Sequence, residues 1–276
     1  MTKVFVNGSL VSPQEALISV FDHGLVAGDG VFETILLHRH RPFALRRHLD
    51  RLQRSASGLG IHAPSSDDVA DAIDQVVESS DFDVGRIRVT VTSGTGPLGS
   101  ARGNGPATLV VAAEPFDLYR DAAAVAVVPW TRNVEGGITG LKTTSYAENA
   151  RALQFAHDKG ADEAIFANSA EMLCEGTGSN VFVVIGGELV TPPLTAGCLD
   201  GVTRQLVLEH HGGDERDVSA SQFITAQIDE AFLTSTLRGV QPIASIDGFA
   251  PREVGAKQTQ RAAAAYSALL ESDDDI

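Results

Sequence analysis

The chain has 276 residues, 43% hydrophobic and 21% charged, which is ordinary for a globular protein, and its length predicts about two domains. A formal net charge of -15 argues against a nucleic-acid backbone as partner, because phosphates call for a basic surface. Two cysteines without metal spacing, an N-terminus (MTKVFVNGSLVS) without a signal-peptide apolar core, and no run near the roughly twenty apolar residues of a membrane span predict a soluble, cytoplasmic protein.

Residues 3–6, the Asn7-Gly8 pair and residues 9–11 predict a hairpin with an Asn-Gly turn. Residues 18–21 read as a short extended piece. The glycine-rich stretch 22–30, DHGLVAGDG, leads into a strand at 31–37, VFETILL. A turn at 39–42 follows. Residues 44–58 place Leu45, Leu49 and Leu52 on one helical face, with the arginines over the rest, and Gly58 to Gly60 ends the helix. Ser65, Ser66, Asp67 and Asp68 cap a second helix that reaches about Glu78. Residues 86–92, RIRVTVT, alternate as a strand; 95–106 form a Gly- and Ser-rich loop; 107–113 form a buried strand.

The loss of a strong period over 115–120 places a boundary there. A small N-terminal α/β domain at 1–116, a linker at 117–122 and a larger C-terminal α/β domain at 123–276 are expected. In the second domain, strands at 124–128 and 163–167 flank a helix from about 145 to 159. A turn and strand at 172–184, a strand at 188–191 and a loop at 192–200 come next. A helix at 203–210 is entered from Gly201, a helix at 221–227 precedes a strand at 230–234, and an alanine-rich helix at 258–271 ends in an acidic tail. The class is α/β (α+β), with no tandem repeat and no low-complexity domain.

The stretch 137–149, GITGLKTTSYAEN, holds one lysine, Lys142, among small residues and hydroxyls, with no second charge until Glu148. Partial enclosure disfavours an ammonium and frees the amine as a nucleophile, as a Schiff-base lysine needs. A structural lysine capping a strand end is the alternative. In LCEGTGSNVF at 173–182, Glu175 is either a turn acid or a carboxylate that holds a proton on a heteroaromatic nitrogen. Gly201-Val202-Thr203 opens a helix, where free N–H groups and a hydroxyl favour an anion, and Thr234-Ser235-Thr236 is a hydroxyl-rich turn at a strand end. Together these supply a lysine, an acid and two phosphate cradles, the parts of a pyridoxal phosphate site.

The order and spacing of GDGVFET at 28–34, HLDRL at 48–52, LKTTSYAEN at 141–149, CEGTGSNVF at 174–182, LDGVTR at 199–204 and FLTSTLRGVQP at 232–242 resemble the class IV aminotransferases, the fold type IV pyridoxal-phosphate enzymes. That family includes branched-chain and D-amino-acid aminotransferases, (R)-selective amine transaminases and 4-amino-4-deoxychorismate lyase. The resemblance implies a two-domain fold with the cofactor between the domains, and a homodimer. It implies that Lys142 forms the internal aldimine and shuttles the proton, and that Glu175 pairs with the pyridine nitrogen. Arg51, Val202, Thr203, Ser235 and Thr236 would hold the phosphate. Tyr146 would bond the ring hydroxyl or the lysine, although its spacing from Lys142 is one residue shorter than in the branched-chain enzymes. Arg51 has Arg54 as a rival.

Arg86 and Arg88 share a strand face, which is either a solvated face or the pocket wall. Arg88 aligns with an arginine of branched-chain enzymes and is a candidate substrate-carboxylate clamp, with Phe32 a candidate lining residue. Arg102 and Arg238 are other candidate clamps. Ser93 stands where D-amino-acid aminotransferases carry an arginine, and Ala27 where many branched-chain enzymes carry an aromatic. Transamination between an amino acid or amine and a keto acid is the expected reaction. Release of pyruvate from aminodeoxychorismate is the alternative, and a catalytically silent pyridoxal-phosphate-binding relative is the second. A dinucleotide site is excluded, because Gly28-Asp29-Gly30 precedes a strand rather than opening a helix.

Overall fold

The computed structural model describes residues 2–118, 121–224 and 228–272. Parts of three expected segments lie outside them: 119–120 of the linker, 225–227 of the short helix, and 273–276 of the tail. The described backbone groups into two compact units, the first built from residues up to Leu118 plus Leu141–Tyr146, the second from residues 121–140, 147–224 and 228–272.

The first unit runs β1 (Val4–Val6), β2 (Ser9–Val11), α1 (His23–Val26), β3 (Gly30–His38), β4 (Arg41–Pro42), α2 (Leu45–Leu59), α3 (Ser66–Glu78), β5 (Gly85–Thr92) and β6 (Thr108–Pro115). Asn7 and Gly8 both take positive φ, 47° and 89°, so the β1–β2 loop has the twist a two-residue hairpin requires. The six strands form one sheet in the order β2-β1-β6-β5-β3-β4. Its core face presents Val31, Ile35 and Leu37 of β3 and Ile87, Val89 and Val91 of β5 to Leu49 and Leu52 of α2 and Val69, Ile73 and Val76 of α3. Ser65 caps α3 through a reciprocal bond with Asp68, as the sequence predicts. Residues 18–21 form no strand. They find no sheet partner, and Ile18, Val20 and Phe21 are exposed.

The second unit runs β7 (Ala123–Val127), α4 (Ala147–Asp158), β8 (Glu163–Ala167), β9 (Leu173–Gly176), β10 (Asn180–Ile185), β11 (Glu188–Thr191), α5 (Val202–His210), β12 (Asp214–Glu215), α6 (Ala220–Ile224), β13 (Glu230–Ser235), β14 (Gly239–Ile246) and α7 (Lys257–Glu271). Eight strands order as β12-β11-β10-β13-β14-β7-β8-β9. Residues 172–184 hold two strands rather than one, because Gly176–Ser179 folds back through a Gly176 N–H to Ser179 carbonyl bond. The sequence reading also missed β14, which pairs antiparallel with β13 and parallel with β7 near the middle of the sheet.

The lysine segment was expected in the C-terminal domain, but Leu141–Tyr146 packs with the first unit. The reason is backbone pairing: Phe32 N–H donates to the Lys142 carbonyl at 3.0 Å, Thr144 N–H donates to the Gly30 carbonyl at 2.8 Å, and Val31 bridges Thr143. The helix expected from about 145 therefore starts at Ala147.

Candidate functional site

In the first unit, register decides which side chains meet. Phe32 pairs with Thr90, Thr34 with Arg88 and Leu36 with Arg86, so these residues share the face opposite the helices. The docked lysine segment brings Lys142 Nζ to 4.3 Å from the Phe32 ring centroid. The Arg88 guanidinium carbon lies 3.3 Å from that centroid, and the Tyr146 ring meets Phe32 edge-on at 5.3 Å. One aromatic ring thus supports an amine and a guanidinium, each held in part by the ring's negative face. Arg88 is open to solvent, yet the protein around its guanidinium strips part of its hydration and pulls its pKa down to about 10, against the opposing pull of Tyr146 and Glu33. It remains a cation at neutral pH.

The close docking depends on two glycines. Gly28 has φ +66°, and its carbonyl accepts from the Thr144 hydroxyl at 2.8 Å and the Ser145 hydroxyl at 3.0 Å. A Cβ on Gly30 would press on the Val91 carbonyl and the Thr144 hydroxyl. Lys142 N–H donates to the Ser55 hydroxyl of α2 at 3.1 Å.

Arg51 does not lie on an exposed helix face, as the spread of arginines along α2 suggested. It is buried, and its Nε–H and a terminal N–H donate to the two oxygens of Glu33 at 2.7 and 2.8 Å. His48 Nδ1 sits 2.8 Å from the same carboxylate. Complete burial opposes ionisation of Glu33, but Arg51 and His48 outweigh it and hold the carboxyl well below its usual range. His48 is pushed down, chiefly by burial. Arg51 already neutralises Glu33, so a proton on His48 would add a second buried cation. His48, Arg51 and Ser55 form a polar stripe on α2 beside the apolar stripe of Leu49, Leu52 and Ala56.

Arg102 is no free clamp. Its guanidinium grips both oxygens of Asp29 at 2.6 and 2.7 Å and donates to the Gly60 carbonyl at 2.9 Å. Arg102 keeps the Asp29 carboxyl below its usual range.

In the second unit, Glu175 on β9 accepts from the Leu199 N–H at 2.9 Å and lies 3.7 Å from an Arg132 terminal nitrogen. Arg132 also binds Glu148 at 2.5 Å and lies over the Phe166 ring at 4.0 Å. The Leu199 carbonyl accepts from the Asn180 side-chain N–H at 2.8 Å, so one residue links the carboxylate to the loop before α5. That loop reaches α5 through Gly201, where a Cβ would overlap the Asn180 side-chain Oδ1. Gly201 supplies no side-chain cap, which leaves the first-turn amides around Val202 and Thr203 for an anion. Thr203 is buried. Thr234 ends up buried with its hydroxyl unpartnered. Ser235 accepts from the Arg238 N–H at 3.2 Å and closes the turn containing Thr236. Arg238, the other candidate clamp, is paired with Glu163 at 3.1 Å.

Lys142, Tyr146, Phe32 and Arg88 therefore meet within the first unit, where Arg51 also lies, and Glu175, Val202, Thr203, Ser235 and Thr236 belong to the second. Sequence reasoning missed Glu33, His48 and Arg132. The first two left a signal: an acid at a core-facing position of an apolar strand, and a polar i, i+3 and i+7 spacing on the following helix. Arg132 left none, because its partners come from β9 and α4.

The model of the family described as amino-transferase class IV matches residues 30–246. The aminodeoxychorismate lyase of Bacillus subtilis is 29% identical over 258 residues, covering 88% of this chain and 86% of that protein. The crystal structure of a branched-chain aminotransferase from Thermoproteus uzoniensis with norvaline superposes with a TM-score of 0.91 at 30% identity, covering 99% of this chain and 96% of that one. The T.th. branched-chain amino acid aminotransferase with pyridoxamine 5'-phosphate gives a TM-score of 0.88 at 27% identity, over 96% and 93% of the two chains. The fold is that of the fold type IV enzymes, as the sequence resemblance implied.

Proposed function

The chain belongs to the class IV amino-transferase family, and from that premise we propose that it is a pyridoxal-phosphate-dependent aminotransferase that moves an amino group between an amino acid or amine and a keto acid. The observation that carries this reading is the meeting of two groups on Phe32: Lys142, an amine that can form a Schiff base with a carbonyl cofactor, and Arg88, a guanidinium suited to a substrate carboxylate. The second unit fits a phosphate-bearing group, since Thr234 holds an unpartnered buried hydroxyl and Gly201 keeps an uncapped helix start clear. When bound, pyridoxal phosphate supplies a carbonyl carbon for the amino group and a ring that takes up electron density from the substrate Cα.

The protein's own groups divide the remaining work. Lys142 would hold the cofactor covalently and move the proton at Cα. Glu175 would keep a proton on the ring nitrogen, with the Leu199 amide and Arg132 fixing its carboxylate. Arg51, the amides of Val202 and Thr203, and the hydroxyls of Thr203, Ser235 and Thr236 would hold the phosphate. Tyr146 would bond the ring hydroxyl or the lysine, Phe32 would line the substrate side and Arg88 would take the substrate carboxylate. The protein acts in the cytoplasm as a homodimer. Leu17, Val20, Phe21 and Leu25, all exposed along one short segment of the first unit, support the second copy.

Amino transfer to a keto acid from a panel of L-amino acids, D-amino acids and (R)-amines tests the reaction. Keto product from one donor class supports it; pyruvate release from aminodeoxychorismate without transfer sinks it. The likeness to the Bacillus subtilis lyase makes that release the second reading. Arg88→Ala is expected to raise KM for carboxylate-bearing donors about tenfold to a hundredfold, the size of a lost charge-assisted bond, with little change for donors lacking a carboxylate.

A further inference from the structure

Glu163 opens β8 fully buried, and neither the proposed chemistry nor any cofactor contact uses it. Its Oε1 accepts from the N–H groups of Ala164 at 3.1 Å and Thr177 at 3.0 Å and from the Thr177 hydroxyl. Its Oε2 accepts from the Ser179 hydroxyl at 3.3 Å and pairs with Arg238 at 3.1 Å. A carboxylate can accept this many bonds and donates none. Two turns end on it. The first, Gly176–Ser179, follows Glu175 directly, and Asn149 also holds it by donating to the Thr177 carbonyl at 2.7 Å. The second carries Ser235 and Thr236 and is closed by the Arg238 N–H on the Ser235 hydroxyl.

Arg238 faces the interior of its unit on both terminal nitrogens. One is on Glu163 and the other donates to the Gln241 side-chain Oε1 at 2.6 Å, while Gln241 Nε2 donates to the Asp121 carbonyl at 2.7 Å. That arrangement anchors a turn rather than grips a ligand.

We propose that Glu163 is a positioning residue that locks the Glu175 turn to the Ser235–Thr236 turn, with Thr177 and Ser179 on one side and Arg238 on the other. The proposal deepens the pyridoxal phosphate reading and rests on it: the two turns carry the groups assigned to the ring nitrogen and to the phosphate. A glutamine at 163 keeps the shape but replaces one oxygen with an N–H₂ that meets donors, and it leaves Arg238 without its countercharge.

The test titrates full-length apoprotein with pyridoxal phosphate and, separately, with pyridoxal, which lacks the phosphate, and follows the absorbance change. Glu163→Gln and Arg238→Met are each expected to lower the affinity ratio of pyridoxal phosphate to pyridoxal about tenfold, the size of one charge-assisted bond. The double variant is expected to lose no more than the weaker single, because both changes break one link. A general loss of packing would weaken both ligands alike and leave the ratio unmoved, which overturns the proposal. Tighter pyridoxal phosphate binding by Glu163→Gln also overturns it, since that result marks Arg238 as a phosphate ligand restrained by Glu163. If Glu163→Gln does not accumulate as folded protein, Arg238→Met reads the link from its less buried end, and an unchanged ratio there overturns the proposal. Wild-type protein that binds neither compound removes the cofactor reading and this inference with it, whereas wild-type binding with unchanged variants removes the inference alone.

Discussion

Glu33 sits at a core-facing position of β3 and collects Arg51 and His48. Removing one member of a buried ion pair strands the other, so Glu33→Gln is expected to cost about 3 kcal/mol at pH 7, measured by urea unfolding. The pH dependence has a definite sign. The folded-state pKa of Glu33 is depressed, so its stabilisation is complete above the unfolded value of about 4.3 and is lost as pH falls toward the folded value. The gap between wild type and Glu33→Gln should narrow between pH 5 and 3; a constant gap would mean that ionisation of Glu33 is not its cause. His48 is likewise depressed, so its contribution begins to fall below about pH 6.5, and His48→Gln should flatten the stability profile below that pH. Lys142 stands out in the sequence because its chain neighbours are small residues and hydroxyls with no second charge until Glu148, whereas Phe32, Arg88 and Ser55, which the fold brings to it, come from β3, β5 and α2. The Glu33–Arg51 pair was not legible, because the acid lies 18 residues before its partner and only the packing of α2 on β3 joins them.

Among the elements, α3 and β5 followed their patterns closely, since a capping box and strict alternation are sufficient local signals. Ser65→Ala is expected to cost about 1 kcal/mol through loss of that cap, read as a shift in the urea midpoint. Strand β14 was hidden for a physical reason. Its sequence, GVQPIASI, does not alternate, and Pro242 lacks the N–H that a central strand normally donates. Its pairing with β7 also shifts register between Ile243 and Ser245. The start of α5 was legible from Gly201 and Thr203, but the need for glycine at 201 was not, because Asn180 enters from β10. Gly201→Ala is expected to displace Asn180 and weaken binding of pyridoxal phosphate to apoprotein at least tenfold, while Val202→Ala leaves the helix start in place and changes it little.

For the whole molecule, no helix among the described residues is long and apolar enough to cross a membrane. The exposed apolar segment around Phe21 leads to a prediction about assembly. Sedimentation should give twice the 29.0 kDa chain mass, and Phe21→Asp should shift the equilibrium toward the monomer; a wild-type monomer at micromolar concentration would contradict the proposed homodimer. The central claim is that Lys142 carries pyridoxal phosphate, and the most direct measurement is the absorbance spectrum of apoprotein on adding that cofactor. A near-visible band that survives gel filtration, is absent from Lys142→Ala, and is discharged by an amino donor is the predicted result. A wild-type spectrum indistinguishable from that of Lys142→Ala would contradict it.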